Sequence, residues 1–253
     1  MIIKTQSWIN GSSSIFKNSF SECDSETREK YWLSVSSFSL EYLVLDDSSF
    51  KSFVPCVGMA LGLKKEDGYY SLLNTEDFNG TIFCFLPLSI ENTFKYNLNC
   101  SFALTEDRLR IFEKSKDDRG IFYKHLWNEY LIPPILANLY TMIEYAKNNV
   151  KLENTFCIFN AFFPIDNSSY FFKKYQTDFY RNICTDESTL RIFPRKVKDH
   201  VKFYAYKDCV FLDFEFDEPN LQNIGLNFIN NLSFDEVIII NIFKFLIYEI
   251  LMN

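Results

Sequence analysis

The hydrophobic period of this chain changes near residue 120, and that change limits the fold more than any other feature. Before it lie apolar runs of strand length. Val54-Pro-Cys-Val-Gly-Met-Ala-Leu-Gly-Leu63 is continuously apolar with a proline near its start, and Gly80-Thr-Ile-Phe-Cys-Phe-Leu-Pro-Leu88 is aromatic and β-branched before Pro87 stops it. Both read as buried strands, the second as the strongest in the chain. In Tyr96–Leu104 the residues Leu98, Cys100, Phe102 and Leu104 share one face against Asn97, Asn99 and Ser101. About seven residues separate these two runs, which suits a hairpin or adjacent pairing. Upstream, Tyr31, Leu33, Val35 and Phe38 mark one or two strands within residues 30–45, and Lys64–Asn79 is polar and turn-like around Asp67-Gly68.

Beyond residue 120 the apolar positions recur at helical spacing. Phe122, Leu126, Tyr130 and Leu131 are followed by Ile135, Leu136, Leu139, Met142, Ile143 and Ala146. Pro133-Pro134 predicts a break, with a second helix from about Pro134. Asp166 is placed to cap a helix over residues 168–183 that carries Phe171, Phe172, Tyr175, Phe179 and Ile183. Residues 155–163 are apolar and take no firm assignment, and residues 188–216 read as short strands. Leu232–Met252 reads as a buried helix: Lys244 and Glu249 interrupt it, and Val237–Phe243 is too short to span a bilayer. The expected fold is therefore α+β or α/β, a mixed β-sheet packed against helices. It divides into a loop-like or poorly ordered leading segment over 1–29, a β-rich part over 30–120, and a helix-rich part with short strands over 121–253 of the same unit.

Composition narrows the function classes. The 253 residues carry a formal net charge of −7, with 47% hydrophobic and 23% charged residues. A disordered tail is excluded, and nucleic acid is not an expected partner, because phosphate neutralisation needs a basic surface. The short patch Arg195-Lys-Val-Lys198 does not change this, and Lys114–Arg119 is mixed in sign and reads as a solvated loop. There are 28 Phe, 15 Tyr and 22 Asn against only 7 Gly and 7 Pro, a bias that AT-rich coding produces. It implies an aromatic-rich core and turns built on Asn and Asp. Seven cysteines at wide spacings offer no Cys-x-x-Cys, and Cys84, Cys157 and Cys209 sit in apolar runs as small hydrophobes. Free thiols and an N-terminus without a signal-peptide core fit the cytoplasm.

Chemistry is sparse. The two histidines are His125, in the helical stretch, and His200. His125 reads either as a general base or as a satisfied helix residue. No metal-binding His spacing, nucleophile elbow or phosphate loop is present; Gly58 and Gly62 lack the Lys and Ser/Thr that a phosphate loop needs. Asp107, Arg108 and Arg110 form a charged cluster in which Arg108 either reaches a phosphate or carboxylate of a partner or belongs to a solvated turn. No catalytic, cofactor-binding or metal-binding residues are expected.

Gly80-Thr-Ile-Phe-Cys-Phe-Leu-Pro-Leu88 closely resembles a segment of the sacsin family, where it follows the ATP-binding module of a repeat unit similar to the heat-shock GHKL chaperones. The surrounding order is similar as well: Trp32-Leu-Ser-Val-Ser-Ser, Val54–Leu61, Asn99–Leu104 with Asp107-Arg108, Trp127-Asn128-Glu-Tyr-Leu, and Pro134 with Ala137. More faintly, Val201–Leu212 and Leu221–Ile229 follow the later part. The likeness covers roughly residues 30–230. Departures are Ser89 for a second proline, Asn97 and Cys100 for a His and a Gly, Arg108-Leu-Arg110 for paired arginines, and Phe112 for a tryptophan. The Asp-x-Gly-x-Gly turn of the ATPase does not occur; Asp67-Gly68 is followed by Tyr69-Tyr70.

The resemblance implies a portion downstream of the ATPase, either a truncated gene product or a piece of a larger multi-repeat chain. Its expected role is non-catalytic, in protein folding or quality control, with protein clients or chaperone partners, no cofactor and no membrane. A small acidic enzyme without a readable motif and a structural interaction module stand as alternatives. Trp127 is expected in the core beside a break between two helices.

Overall fold

In the computed structural model the described residues are 12–21, 27–38, 56–73, 79–90, 94–113, 122–152, 155–164, 169–184, 188–197 and 200–209. Ser12–Ser21 (β1) and Thr27–Phe38 (β2) pair antiparallel, from Ser12 opposite Ser36 to Ser21 opposite Thr27. The Ser-rich composition predicts a loop here. Strand pairing prevails because the ladder is made by backbone groups, which an adjacent strand satisfies whatever the side chains.

Cys56–Glu66 (β3) lies at the centre of the sheet. One edge pairs antiparallel with β2, Tyr31 opposite Leu63 through Phe38 opposite Cys56. The other edge is shared end to end by Tyr69–Leu72 (β4) and Tyr96–Cys100 (β7), both antiparallel. Asp67 and Gly68, with φ of 50° and 84°, form the two-residue turn between β3 and β4, the positive-φ pair that matches strand twist in a tight hairpin. Ile82–Cys84 (β5) pairs parallel with β7 and antiparallel with Leu86–Pro87 (β6). The order is β1-β2-β3-β7-β5-β6, with β4 beside β3.

One face of this mixed sheet is apolar. Leu33, Val35, Val57, Met59, Leu61, Ile82, Tyr96, Leu98 and Cys100 are buried, as strand alternation requires. The helices Phe122–Tyr130 (α1), Ile132–Asn149 (α2), Thr155–Phe162 (α3) and Tyr170–Ile183 (α4) complete the α+β architecture. The Asn138 side chain of α2 donates to the Val57 carbonyl of β3 at 3.1 Å, tying the helix to the central strand. Phe94 stacks on Tyr96 and meets Phe172 and Tyr175 of α4 edge-on. The expected apolar stripe of α4 is buried in full. Phe193–Val197 (β8) and His200–Tyr204 (β9) make a separate antiparallel pair.

Several expectations are corrected. Gly80–Leu88 is not a continuous buried strand: it breaks at Phe85, whose φ is 63°, and Phe85 and Leu86 are 78% and 74% exposed. Of the two pairings expected for its neighbour Tyr96–Cys100, a hairpin or adjacent pairing, the second is found, in parallel. Helix α4 has Ser169 at its N-cap position and not Asp166, which lies outside the described residues. There the Glu113 carboxylate accepts from the Ser169 hydroxyl and from the Phe171 N–H at 3.0 Å. The helix break falls at Leu131, ahead of the two prolines, which occupy the first turn of α2, where missing N–H donors do no harm. Cys84, Cys157 and Cys209 are only partly buried, while Cys100 is the fully buried thiol. The apolar residues 155–163 are largely helix α3. Leu232–Met252, Phe211–Phe216 and Lys114–Arg119 lie outside the described residues. Among those described, no helix is long and apolar enough to cross a membrane.

Candidate functional site

Gly80–Leu88, the residues that follow β7 as far as Arg110, and Trp127 and Asn128 of α1 are joined by hydrogen bonds at the end of the sheet formed by β7, β5 and β6. Gly80 enters this region with its N–H on the Phe94 carbonyl at 2.8 Å. A Cβ at Gly80 would stand 1.9 Å from the Tyr96 carbonyl oxygen, so only glycine lets the two backbones approach this closely. The two Asn side chains on the outer face of β7 then hold the next segment. Asn97 Oδ1 accepts the Thr81 N–H at 2.8 Å, and Asn99 Oδ1 accepts the Phe85 N–H at 3.3 Å. The Leu88 N–H reaches the Ile82 carbonyl at 2.8 Å and closes a hairpin with Phe85 alone at its tip, between paired Cys84 and Leu86. The Cys84 thiol donates to the Phe102 carbonyl.

A bulky residue at positive φ is a strained one, by about 1–2 kcal/mol. Core residues recover such strain by burying their side chains. Phe85 does not: its ring projects from the tip next to the exposed Leu86.

Beside this tip runs the turn Thr105–Arg110. The Thr105 N–H donates to the Arg110 carbonyl at 3.0 Å and the Arg108 N–H to the Thr105 carbonyl at 2.9 Å. Asp107 accepts from the Thr105 hydroxyl and from the Leu109 N–H at 3.0 Å, and these two bonds hold its carboxyl below the usual carboxylate range. Arg108 has φ 57° and is exposed, as are Leu109 and Arg110. Burial pushes the Cys84 thiol up, its hydrogen bond to Phe102 pulls it down, and the weaker effects of Cys56 and Arg108 oppose one another.

Helix α1 pins the whole arrangement from beneath. The buried Trp127 donates its indole N–H to the Ser101 carbonyl at 2.6 Å. The buried Asn128 accepts the Ala103 N–H at 2.8 Å and donates to the Ala103 and Phe112 carbonyls at 2.9 and 2.8 Å. Thus Trp127 and Asn128 position the arginine turn, and Asn97 and Asn99 position the tip. The roles of the three Asn side chains were not readable from spacing, because each bond joins residues 14 or more positions apart.

The remaining candidates lie elsewhere or serve the fold. His125 is buried on α1, with Nε2 3.3 Å from the Glu129 carboxylate and its ring against Tyr170; this is a satisfied helix histidine. His200 is exposed on β9. Gly58 and Gly62 lie within β3, a strand interior and not a phosphate loop. Arg195 lies in β8, away from the tip in the fold. Among the described residues no group of His, Cys, Asp and Glu is arranged to hold a metal ion. What this region offers is apolar contact plus a guanidinium. Comparison of the chain with protein-family models, curated proteins and solved structures finds no match.

Proposed function

We propose that this chain is a non-catalytic segment of a sacsin-like chaperone or scaffold that acts in protein folding or quality control by contacting clients or partners. One observation carries the reading: Gly80–Leu88, Asn99–Arg108 and Trp127-Asn128 are joined by hydrogen bonds and carry an exposed Phe85–Leu86 tip with Phe85 at positive φ. Large exposed apolar side chains on an ordered turn are the usual mark of a contact surface. A cytoplasmic setting belongs to the same reading.

The test is a light-scattering assay of a thermolabile reporter enzyme heated with the full chain. Suppression of aggregation without ATP is expected. Calorimetry with ATP and magnesium should give no saturable heat. Failure to suppress at molar excess, or saturable ATP binding abolished by a change in this chain, would overturn the reading.

A further inference from the structure

We infer that Cys84 and Cys100 form a redox-sensitive thiol pair, which a hydroperoxide closes to a reversible disulfide that fastens the base of the Phe85–Leu86 hairpin to β7. Such a switch works whatever the chain contacts, so it stands apart from the proposed function.

Strand register brings the two thiols together. β5 runs parallel to β7 with Ile82 beside Leu98 and Phe83 beside Asn99, so the next position sets Cys84 beside Cys100. Alternation puts both on the apolar face with the buried Ile82 and Leu98. The Cys84 thiol donates to the carbonyl of Phe102, two residues beyond Cys100. Neighbouring strands lie about 4.8 Å apart, inside the Cα separation of about 4.4–6.8 Å that a disulfide spans. Cys56 is the third thiol of the region and acts electrostatically on both others. It is worse placed, because on β3 it is Val57 that stands opposite Cys100. Alternation therefore turns Cys56 and Cys100 to opposite faces. β7 also separates Cys56 from Cys84 by two strand spacings, about 10 Å, which no disulfide bridges without backbone movement.

Exposure sets the order of events. Cys84 is partly exposed and Cys100 is buried, so an oxidant meets Cys84 first while Cys100 is shielded. The hydroperoxide gives one oxygen to the Cys84 sulfur: its O–O bond breaks, an S–O bond forms, and the thiol proton leaves with the departing oxygen as water or an alcohol. The Cys100 sulfur then attacks the Cys84 sulfur. An S–S bond forms, the S–O bond breaks, and the Cys100 proton leaves with the hydroxyl as water. Two electrons pass from the thiols to the peroxide. Burial pushes both thiols up, so the first step is slow and dilute oxidant leaves the pair reduced. The second step gains from an attacking sulfur held beside its target. A reducing thiol pool reopens the link, so the pair registers sustained oxidant. Closure replaces the Cys84–Phe102 hydrogen bond with a covalent tie directly before Phe85.

The experiment exposes the full, folded chain to millimolar hydrogen peroxide, blocks remaining thiols and maps the peptides by mass spectrometry without reductant. A Cys84–Cys100 cross-link should exceed any other cysteine pair at least tenfold and disappear with dithiothreitol. Hydrogen exchange at the Leu88 amide, which closes the hairpin on Ile82, should slow in the linked form. Cys56→Ala should leave the yield unchanged. Cys100→Ala should divert Cys84 to sulfinic acid, and Cys84→Ala should leave Cys100 a free thiol under the same exposure. If Cys100→Ala does not fold, the parent map and Cys84→Ala decide the matter. Sulfinic acid at Cys84 of the parent with Cys100 still reduced, a Cys56–Cys84 link in its place, or a Cys84–Cys100 link that forms only in urea overturns the pairing. Unchanged Leu88 exchange in the linked form overturns the fastening of the hairpin.

Discussion

The side-chain amide of Asn128 faces the backbone of Ala103 with both of its ends, accepting from the N–H at 2.8 Å and donating to the carbonyl at 2.9 Å. A second donor of the same amide reaches the Phe112 carbonyl at 2.8 Å. Both strands of the arginine turn are thereby read by one side chain. Asn128→Ala leaves the Ala103 N–H and the Phe112 carbonyl without this partner, while the Ala103 carbonyl keeps the Phe112 N–H at 2.9 Å. At about 1–3 kcal/mol for each buried group left unsatisfied, a loss near 3 kcal/mol is expected in a urea titration. Asn128→Asp keeps the acceptor but sets a carboxylate against two carbonyls, so it should be at least as damaging. A loss under about 1 kcal/mol for both variants would show that the turn does not depend on Asn128.

Gly80→Ala should be among the most damaging single-atom additions. The new Cβ would meet the Tyr96 carbonyl oxygen at 1.9 Å and the carbonyl carbon at 2.4 Å, and both belong to backbone. Overpacking costs about 1–3 kcal/mol even where side chains can move, and backbone moves less easily. The expected outcome is a loss above about 3 kcal/mol in the urea midpoint.

Phe85 and Leu98 should respond oppositely although both are large apolar residues of neighbouring segments. Leu98→Ala empties a fully buried site and should cost about 2–5 kcal/mol. Phe85→Gly removes an exposed ring and relieves positive φ, so the melting temperature should hold or rise. Matched thermal scans of the two variants check this. A large drop for Phe85→Gly would restore the continuous buried strand that the sequence suggests.

Much of the fold was legible because periodicity survives in regular elements. The alternation of Leu98 and Cys100 against Asn97 and Asn99, and the stripe from Phe171 to Ile183, are found as expected. The failures share a cause. The run Ile82–Leu88 is apolar at every position, so it carries no period to say which residues face inward, and Phe is a residue type that gives no turn signal. Phe85 takes positive φ because Asn99, fourteen residues away, receives its N–H. Ser12–Ser21 is a strand because Thr27–Phe38 pairs with it, a fact its polar composition does not record. The candidate site was legible only in parts: Asp107, Arg108 and Trp127 stand out as single residues, but their convergence is tertiary.

Tyr96 and Tyr175 share a buried hydroxyl–hydroxyl bond of 2.9 Å. Tyr96→Phe and Tyr175→Phe each leave the other hydroxyl buried without this bond, so each should cost about 1–2 kcal/mol. The double variant should cost clearly less than the sum, because no orphaned hydroxyl remains. Additive losses in the double-mutant cycle would mean that the two hydroxyls act independently.

Alkaline pH should unfold the chain through its shielded acids. Burial pushes the Cys184 thiol from 9.0 up to about 12, the Cys209 thiol up to about 11 and the Tyr140 phenol from 10.0 up to about 12. These raised values favour the neutral forms in the folded state. Their contribution is complete below the unfolded values near 9 and 10. It declines from there upward and is lost as pH rises through about 11–12. Melting temperatures measured from pH 8 to 11 should fall steadily, and Cys184→Ala should flatten that slope. A pH-independent melting temperature would contradict the burial of these groups.

Helix α1 spans only nine residues, from Phe122 to Tyr130, before the chain breaks at Leu131. That is shorter than the 12–15 residues or so an isolated helix needs to persist in water. Its persistence therefore depends on what Trp127 and Asn128 grip, and the gripped residues 101–112 depend in turn on the helix. The two should open and close as one cooperative unit, with matching amide-exchange rates on both sides of the contact. A partner that loads the arginine turn would then slow exchange in a helix it never touches.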